Sequence, residues 1–240
     1  MTVSALLAFC PSATAIPITV DMVLADNPSI TTADASVDMV IDPSNSRQLI
    51  ITLRNLLSGG PRGAGGLLTG IAFDLPDDMN IQSGSVVVGT GSQILGGSLN
   101  SAGGGTDVSG EWGFLNGISG HFNDAALTTD TQVSAMGADV SNKFSTTRID
   151  PPTVLDGPDF GLLGVGENRG RQTAIEDSVI ITLLMDHTLN GGFLNGINGG
   201  IVAVTYGSPT GATVPDASTT AMLLGVALLG LEGLRRRIAK

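Results

Sequence analysis

"LLTGIAFDLP", from Leu67 to Pro76, decides how the rest of the chain is read. Ile71, Phe73 and Leu75 alternate with Ala72 and Asp74, the period-two pattern of a strand with one face on a core. Working outward, short apolar runs recur between turn residues. Ile18 to Leu24, Ser36 to Ile41 and Gln48 to Leu53 precede the quoted stretch; Ser85 to Val88, Val179 to Leu184 and Ile201 to Tyr206 follow it. Pro43, Ser44 and Asn45 supply a turn before Gln48, and the β-branched residues from Ser85 to Val88 favour a strand. No amphipathic helix of ordinary length is evident before the C-terminal tail. Short strands with Gly-rich connections predict an all-β body, a β-sandwich or jelly roll, with a β-solenoid as the alternative.

Composition sets limits on this body. Apolar residues make up 42% of the 240, enough for one core, whereas 34 glycines and a charged fraction of 14% pull toward a loose chain. Length favours a single domain. The net charge is −11, and four of the eleven Lys and Arg residues lie from Arg235 onward, so the body is more acidic still. A nucleic-acid partner requires a basic footprint and is excluded on this ground.

Few residues suggest chemistry. "WGFLNGISGH", Trp112 to His121, and "GGFLNGINGG", Gly191 to Gly200, share Gly-Phe-Leu-Asn-Gly-Ile at a separation of 79 residues, too long for a solenoid period. Asn116-Gly117 and Asn195-Gly196 predict two equivalent turns, with Phe and Leu plugged into the core and a ligand loop as the alternative. Trp112, the only tryptophan, is sized for a core or strand-end anchor and is also a candidate platform for a sugar. Asp150, Asp156 and Asp159, in a Pro- and Gly-rich loop followed by Glu176 and Asp177, are candidate Ca²⁺ ligands, with a solvated acidic loop as the alternative. The ordered positions of an EF-hand are absent.

His121 and His187, the only histidines, form no His-x-x-x-His pair, and no Gly-x-Ser-x-Gly elbow accompanies them. "GGPRGAGG", Gly59 to Gly66, lacks the Lys-Ser/Thr ending of a phosphate loop and reads as a hairpin connection. No catalytic set is legible, which weighs against an enzyme.

The two ends are more informative. After Val214, Pro215 and Asp216 come Ser218 and Thr219, an apolar segment from Ala221 to Leu234 broken only by Glu232, and Arg235, Arg236 and Arg237. A helix over 219–234 would be about 24 Å long, short for a hydrocarbon core of about 30 Å. Its apolar side chains cover every face rather than one stripe, which favours a membrane span over an amphipathic or core helix. The arginines place this end in the cytoplasm and the body outside. At the other end Val3 to Cys10 is apolar, and Ala13 and Ala15 form a cleavage-like site before Ile16. With no basic n-region, residues 1–15 read as a truncated signal peptide whose true start lies upstream, an apolar N-terminal strand being the alternative. Cleavage would remove Cys10 and leave a mature chain without cysteine.

The tail resembles the PEP-CTERM class of bacterial sorting signals in its Val-Pro-Asp variant, with Val214, Pro215, Asp216 and the cluster Arg235 to Arg237 as the matching parts. The resemblance implies export by the secretion machinery and transient inner-membrane anchoring. It also implies recognition near Pro215 by an exosortase-like membrane transpeptidase. "VSGEWGF" at Val108 to Phe114 and "DGPDFGLL" at Asp156 to Leu163 are similar to body segments of exported proteins that carry such a tail. The expected organisation is a signal peptide over 1–15, a body over 16–211 and a sorting signal over 212–240. The expected function is a cell-surface or extracellular-matrix protein. The alternative is a module that binds extracellular polysaccharide or Ca²⁺, or a polysaccharide hydrolase.

Overall fold

In the computed structural model the residues described are 15–25, 27–58, 63–96, 107–117, 129–135, 142–145, 159–167 and 173–207. Where apolar residues alternate, strands form. They are β1 (Ile16–Ile18), β2 (Met22–Ala25), β3 (Ala35–Ile41), β4 (Gln48–Asn55), β5 (Leu68–Phe73), β6 (Ile81–Val88), β7 (Ile94–Leu95), β8 (Gly113–Asn116), β9 (Thr131–Ser134), β10 (Asn142–Lys143), β11 (Gly161–Leu163), β12 (Ala174–Glu176) and β13 (Ser178–Met185). The helix α1 (Gly191–Gly199) and the strand β14 (Val202–Tyr206) complete the order. The body is all-β, with α1 as the one α-helix among the described residues.

The strands make two sheets. One has the order β1-β3-β4-β13-β6; in the other, β10-β8-β9-β5-β11-β12-β7 form a path and β14 lies between β5 and β2. In the first sheet Leu49, Ile51 and Leu53 on β4 and Val179, Ile181 and Leu183 on β13 are fully buried. Their neighbours Ile50, Thr52, Ile180 and Thr182 are half-buried, as a two-residue period on a one-sided sheet requires. Val133, Val202, Val204 and Tyr206 from the second sheet join the same apolar cluster, so the two sheets share one core. Two pairings, β11 with β12 and β2 with β14, are parallel, which separates this topology from a purely antiparallel jelly roll.

The quoted stretch becomes β5, but it is buried on both faces rather than one. Ile71 and Phe73 enter the shared core, while Ala72 packs with Ala203 on the opposite side. The run expected from Ile18 to Leu24 is not one strand: β1 pairs with β3 in the first sheet and β2 with β14 in the second. The chain changes sheets at Thr19 to Asp21, held by Asp21 N–H on the Val202 carbonyl at 2.8 Å and Val202 N–H on the Asp21 carboxylate at 2.9 Å. A second change of sheet takes a single residue, Asp177 between β12 and β13. Its φ of 68° is one that Asp tolerates better than most side chains.

The shared hexapeptide overturns the expectation of two equivalent turns. In the first copy Gly113 to Asn116 form β8, and Gly117, at φ 70°, makes the turn. In the second, Asn195-Gly196 lies inside α1. Asn190 supplies what the first copy lacks, a cap whose side-chain oxygen accepts from the N–H groups of Gly192 and Phe193. Phe193, Leu194 and Ile197 then fall on one buried side. Four of the nine helical residues are glycine, each costing about 1 kcal/mol relative to Ala. Gly196 is exposed, and a Cβ there meets nothing within 4 Å. Gly196→Ala is therefore expected to stabilise the protein by about 0.5–1 kcal/mol. Thermal unfolding should show a Tm rise of about 2 °C; a fall would mean that α1 does not hold its helical backbone.

Candidate functional site

The C-terminal strand of the body is the structural feature that bears on the tail. β14 runs between β2 and β5, paired on both edges, and its five residues are all buried. Gly207 follows at φ 73°, in a conformation that favours glycine, and an added Cβ would come 3.2 Å from the Gly65 backbone. Its N–H donates to the Leu67 carbonyl at 2.8 Å, and its own carbonyl accepts from the Thr69 hydroxyl at 2.9 Å. Thr69 is fully buried and also reaches the Thr205 carbonyl at 3.2 Å.

Beside this lock stands a buried polar junction. The Asn55 amide donates to the carbonyls of Leu162 at 2.6 Å and Gly66 at 3.0 Å, while its oxygen accepts from the Leu57 N–H at 2.9 Å. Tyr206, the only tyrosine, donates its hydroxyl to the Asp34 carbonyl and lies 3.4 Å from the Asn55 oxygen. Burial pushes the Tyr206 phenol well above its ordinary pKa, and the Asp34 charge adds to this, so it stays a neutral donor. These contacts tie the last residue of β14 to β4, β11 and the turn at 64–66.

The candidate ligand residues do not converge. Trp112 is fully buried in the core and presents no face to solvent; its indole N–H has no partner among the described residues. Asp159 accepts from the Thr173 N–H at 3.0 Å, extending the β11–β12 pairing by one step. Glu176 accepts from the Gln93 amide at 2.7 Å, and Asp177 lies 3.6 Å from Arg54. Asp150, Asp156 and His121 lie outside the described residues, as do Gly59 to Arg62 of the glycine-rich connection. Among the described residues no group of three or more His, Cys, Asp or Glu could hold a metal ion.

A cleft of about 430 Å³ opens between α1 and the segment after β5, lined by Asp74, Leu75, Met79, Thr188, Phe193 and Gly196 among others. Among the described residues Asp74 is the one ionisable side chain in that lining, whereas glycoside hydrolysis uses a pair of carboxylates.

Near it, Asp186 accepts from the Asn80 N–H at 2.8 Å and from His187 at 2.9 Å, joining the ends of β13 and β6. The Asn80 N–H, and then His187, hold the Asp186 carboxyl down to about 2, and the same carboxylate raises His187. The Asp186 contribution to stability is complete above its unfolded pKa of about 4 and is lost as pH falls toward 2. The His187 contribution is present below about 6.5 and fades as pH rises through its raised value. Between pH 4 and 2 the Tm of Asp186→Asn is expected to fall less steeply than that of wild type; parallel curves would contradict the assignment. An adjacent Asp-His pair was visible in the sequence, but nothing there showed that Asn80 would meet it.

Val214, Pro215, Asp216 and Arg235 to Arg237 lie outside the described residues, as do residues 1–14 and the helix expected over 219–234. Among the described residues no helix is long and apolar enough to cross a membrane.

Comparison with known proteins bears on the tail alone. Residues 213–238 match the family model of the VPDSG-CTERM motif. No curated protein and no solved structure matches the chain. The chain thus carries a sorting signal of the PEP-CTERM-like kind, with Val214, Pro215 and Asp216 at its head and Ala217 and Ser218 following. That signal points to an exported protein.

Proposed function

We propose that this protein is an exported cell-surface or extracellular-matrix component whose folded β body is held at the membrane by its tail and then cut near Pro215 by an exosortase-like transpeptidase. The observation that carries this reading is the motif match over 213–238. The remaining support comes from the body. Its last strand is buried and paired on both sides, so a pull on the tail is borne by the whole sheet rather than by a peripheral segment. β1 begins at Ile16, directly after the Ala13-x-Ala15 site, so removal of residues 1–15 would leave every described strand intact.

In this reading the apolar segment at 219–234 spans the membrane with Arg235, Arg236 and Arg237 on the cytoplasmic side. Pro215 holds its own φ and biases Val214 toward extended backbone, the form in which a protease groove pairs with its substrate. Ser218 or Thr219 caps the helix that follows. The body's role is structural or adhesive.

Fractionation of the native host tests the proposal. Wild type is expected in the surface or extracellular fraction, and a variant lacking residues 212–240 is expected to bypass the membrane stage and appear outside the cell without any membrane-bound precursor. Wild-type protein found only in the cytosol would overturn it.

A further inference from the structure

The cleft between α1 and the segment after β5 has the size of a small-molecule site. Its volume of about 430 Å³ falls within the roughly 300–1,000 Å³ of such pockets. Much of the lining is apolar: Leu75, Phe193 and Ile197 are buried, and Pro76 and Met79 belong to the turn that follows β5. Gly192 and Gly196, one turn apart on α1, also line it, and a Cβ at Gly196 would meet nothing within 4 Å. No side chain of α1 therefore fills the cleft at that point.

The charge of the lining is negative. Asp74 is half-buried and held in place, since its carboxylate accepts from the Asp130 N–H at 3.2 Å while the Asp130 carboxylate accepts from the Leu75 N–H at 2.8 Å. Asp77 and Asp78 stand in the turn between Pro76 and Met79, and Asp186 comes two positions before the lining residue Thr188. The cations on this side of the body are engaged: Arg47 donates to the Met185 carbonyl and to Gln82, and His187 lies 2.9 Å from Asp186. An anion finds little at the N-terminus of α1, because Asn190 already takes the N–H groups of Gly192 and Phe193.

Two other ligand classes fit less well. Phe193, the one aromatic residue of the lining, is 8% exposed and offers no face on which a sugar could stack. A peptide would need an open strand edge beside the cleft. β5 is paired on both edges, and the backbone N–H and carbonyl of Ile81 at the start of β6 both bond the Asn116 side chain. We infer that the cleft binds a free primary alkylamine, its short apolar chain lying along Met79, Phe193 and the glycine side of α1 and its ammonium group donating to the Asp74 carboxylate. This site belongs to the body and does not depend on the sorting of the tail.

Calorimetry of the purified full chain at neutral pH tests the assignment, with hexylamine as the probe. Hexylamine is expected to bind at least about tenfold more tightly than 1-hexanol, the difference a charge-assisted hydrogen bond supplies, and hexanoate to bind more weakly than either. Nα-acetyl-lysine N-methylamide, the same amine carried on a peptide unit, is expected to bind at least about tenfold more weakly than hexylamine. Asp74→Asn keeps an oxygen for the Asp130 N–H and removes the charge, so it should bring hexylamine down to the affinity of hexanol and leave hexanol within about twofold. Gly196→Leu puts a side chain into the cleft and should weaken both ligands at least about tenfold, with a Tm no lower than that of wild type.

Absence of hexylamine binding up to about 10 mM would overturn the inference. So would equal affinities for hexylamine and hexanol, a lysine derivative as tight as hexylamine, or full hexylamine affinity in a folded Asp74→Asn or Gly196→Leu variant. Should Asp74→Asn fail to fold, the ligand series on wild type and the Gly196→Leu result decide.

Discussion

Replacing Asn55 with Leu is expected to destabilise the protein by about 3–5 kcal/mol, the largest stability effect anticipated for any single side chain outside the apolar core. The substitution keeps the Cγ-branched heavy-atom skeleton of Asn but strands three backbone groups, the carbonyls of Gly66 and Leu162 and the N–H of Leu57, in a site where Asn55 is 1% exposed. A buried group left without its partner costs about 1–3 kcal/mol, and the total stability of a domain is only about 5–15 kcal/mol. For a body of this size that corresponds to a Tm lowered by about 10 °C. The neighbouring substitution Arg54→Ala serves as a control. Arg54 is 45% exposed and 3.6 Å from Asp177, and an ion pair of that kind is worth about 0–1 kcal/mol. Thermal unfolding of the two variants side by side checks the assignment. Similar losses from both, or a loss below about 1 kcal/mol for Asn55→Leu, would mean that water rather than Asn55 satisfies those backbone groups.

The second large effect concerns processing. Changing Pro215 and Asp216 together to Ala is expected to lower the cut fraction at least tenfold while leaving membrane retention intact. In the proposed reading retention depends on the apolar segment and the arginines, which the change does not touch. In the proposed reading, Ala at 215 removes the proline that biases the preceding residue toward extended backbone, and Ala at 216 removes the carboxylate that would mark the site. The precursor should then accumulate in the membrane fraction at full length. Normal cutting of the double variant would place the recognition elsewhere in the tail.

How much of this was legible in the sequence depends on the range of the interactions involved. β3, β4 and β13 were readable because seven or eight residues with a two-residue period leave little ambiguity. The strands that went unread, from β7 to β12, are two to four residues long, and a period cannot be recognised over such a length. The helix α1 was misread because its composition is that of a turn. One hexapeptide forms a strand at 113–116 and a helix at 192–197, so what decides is Asn190 and the surface available to Phe193, Leu194 and Ile197, neither of which is local to those six residues. The split of β1 from β2 was hidden for a related reason, since both strands are apolar and only pairing assigns them to different sheets.

Asn55 did leave a signal. It stands two positions beyond Leu53 on the core-facing side of β4, and a polar residue at that parity announces a buried hydrogen-bond junction. The tail was readable for the opposite reason: its parts act in sequence order, so their meaning does not depend on the fold.

The most direct measurement is the intact mass of the mature protein recovered from its native host. The expected product begins at or near Ile16 and ends close to Pro215, without the apolar segment and the arginine cluster. A product that still carries residues through Lys240 would contradict it and make the tail a permanent anchor.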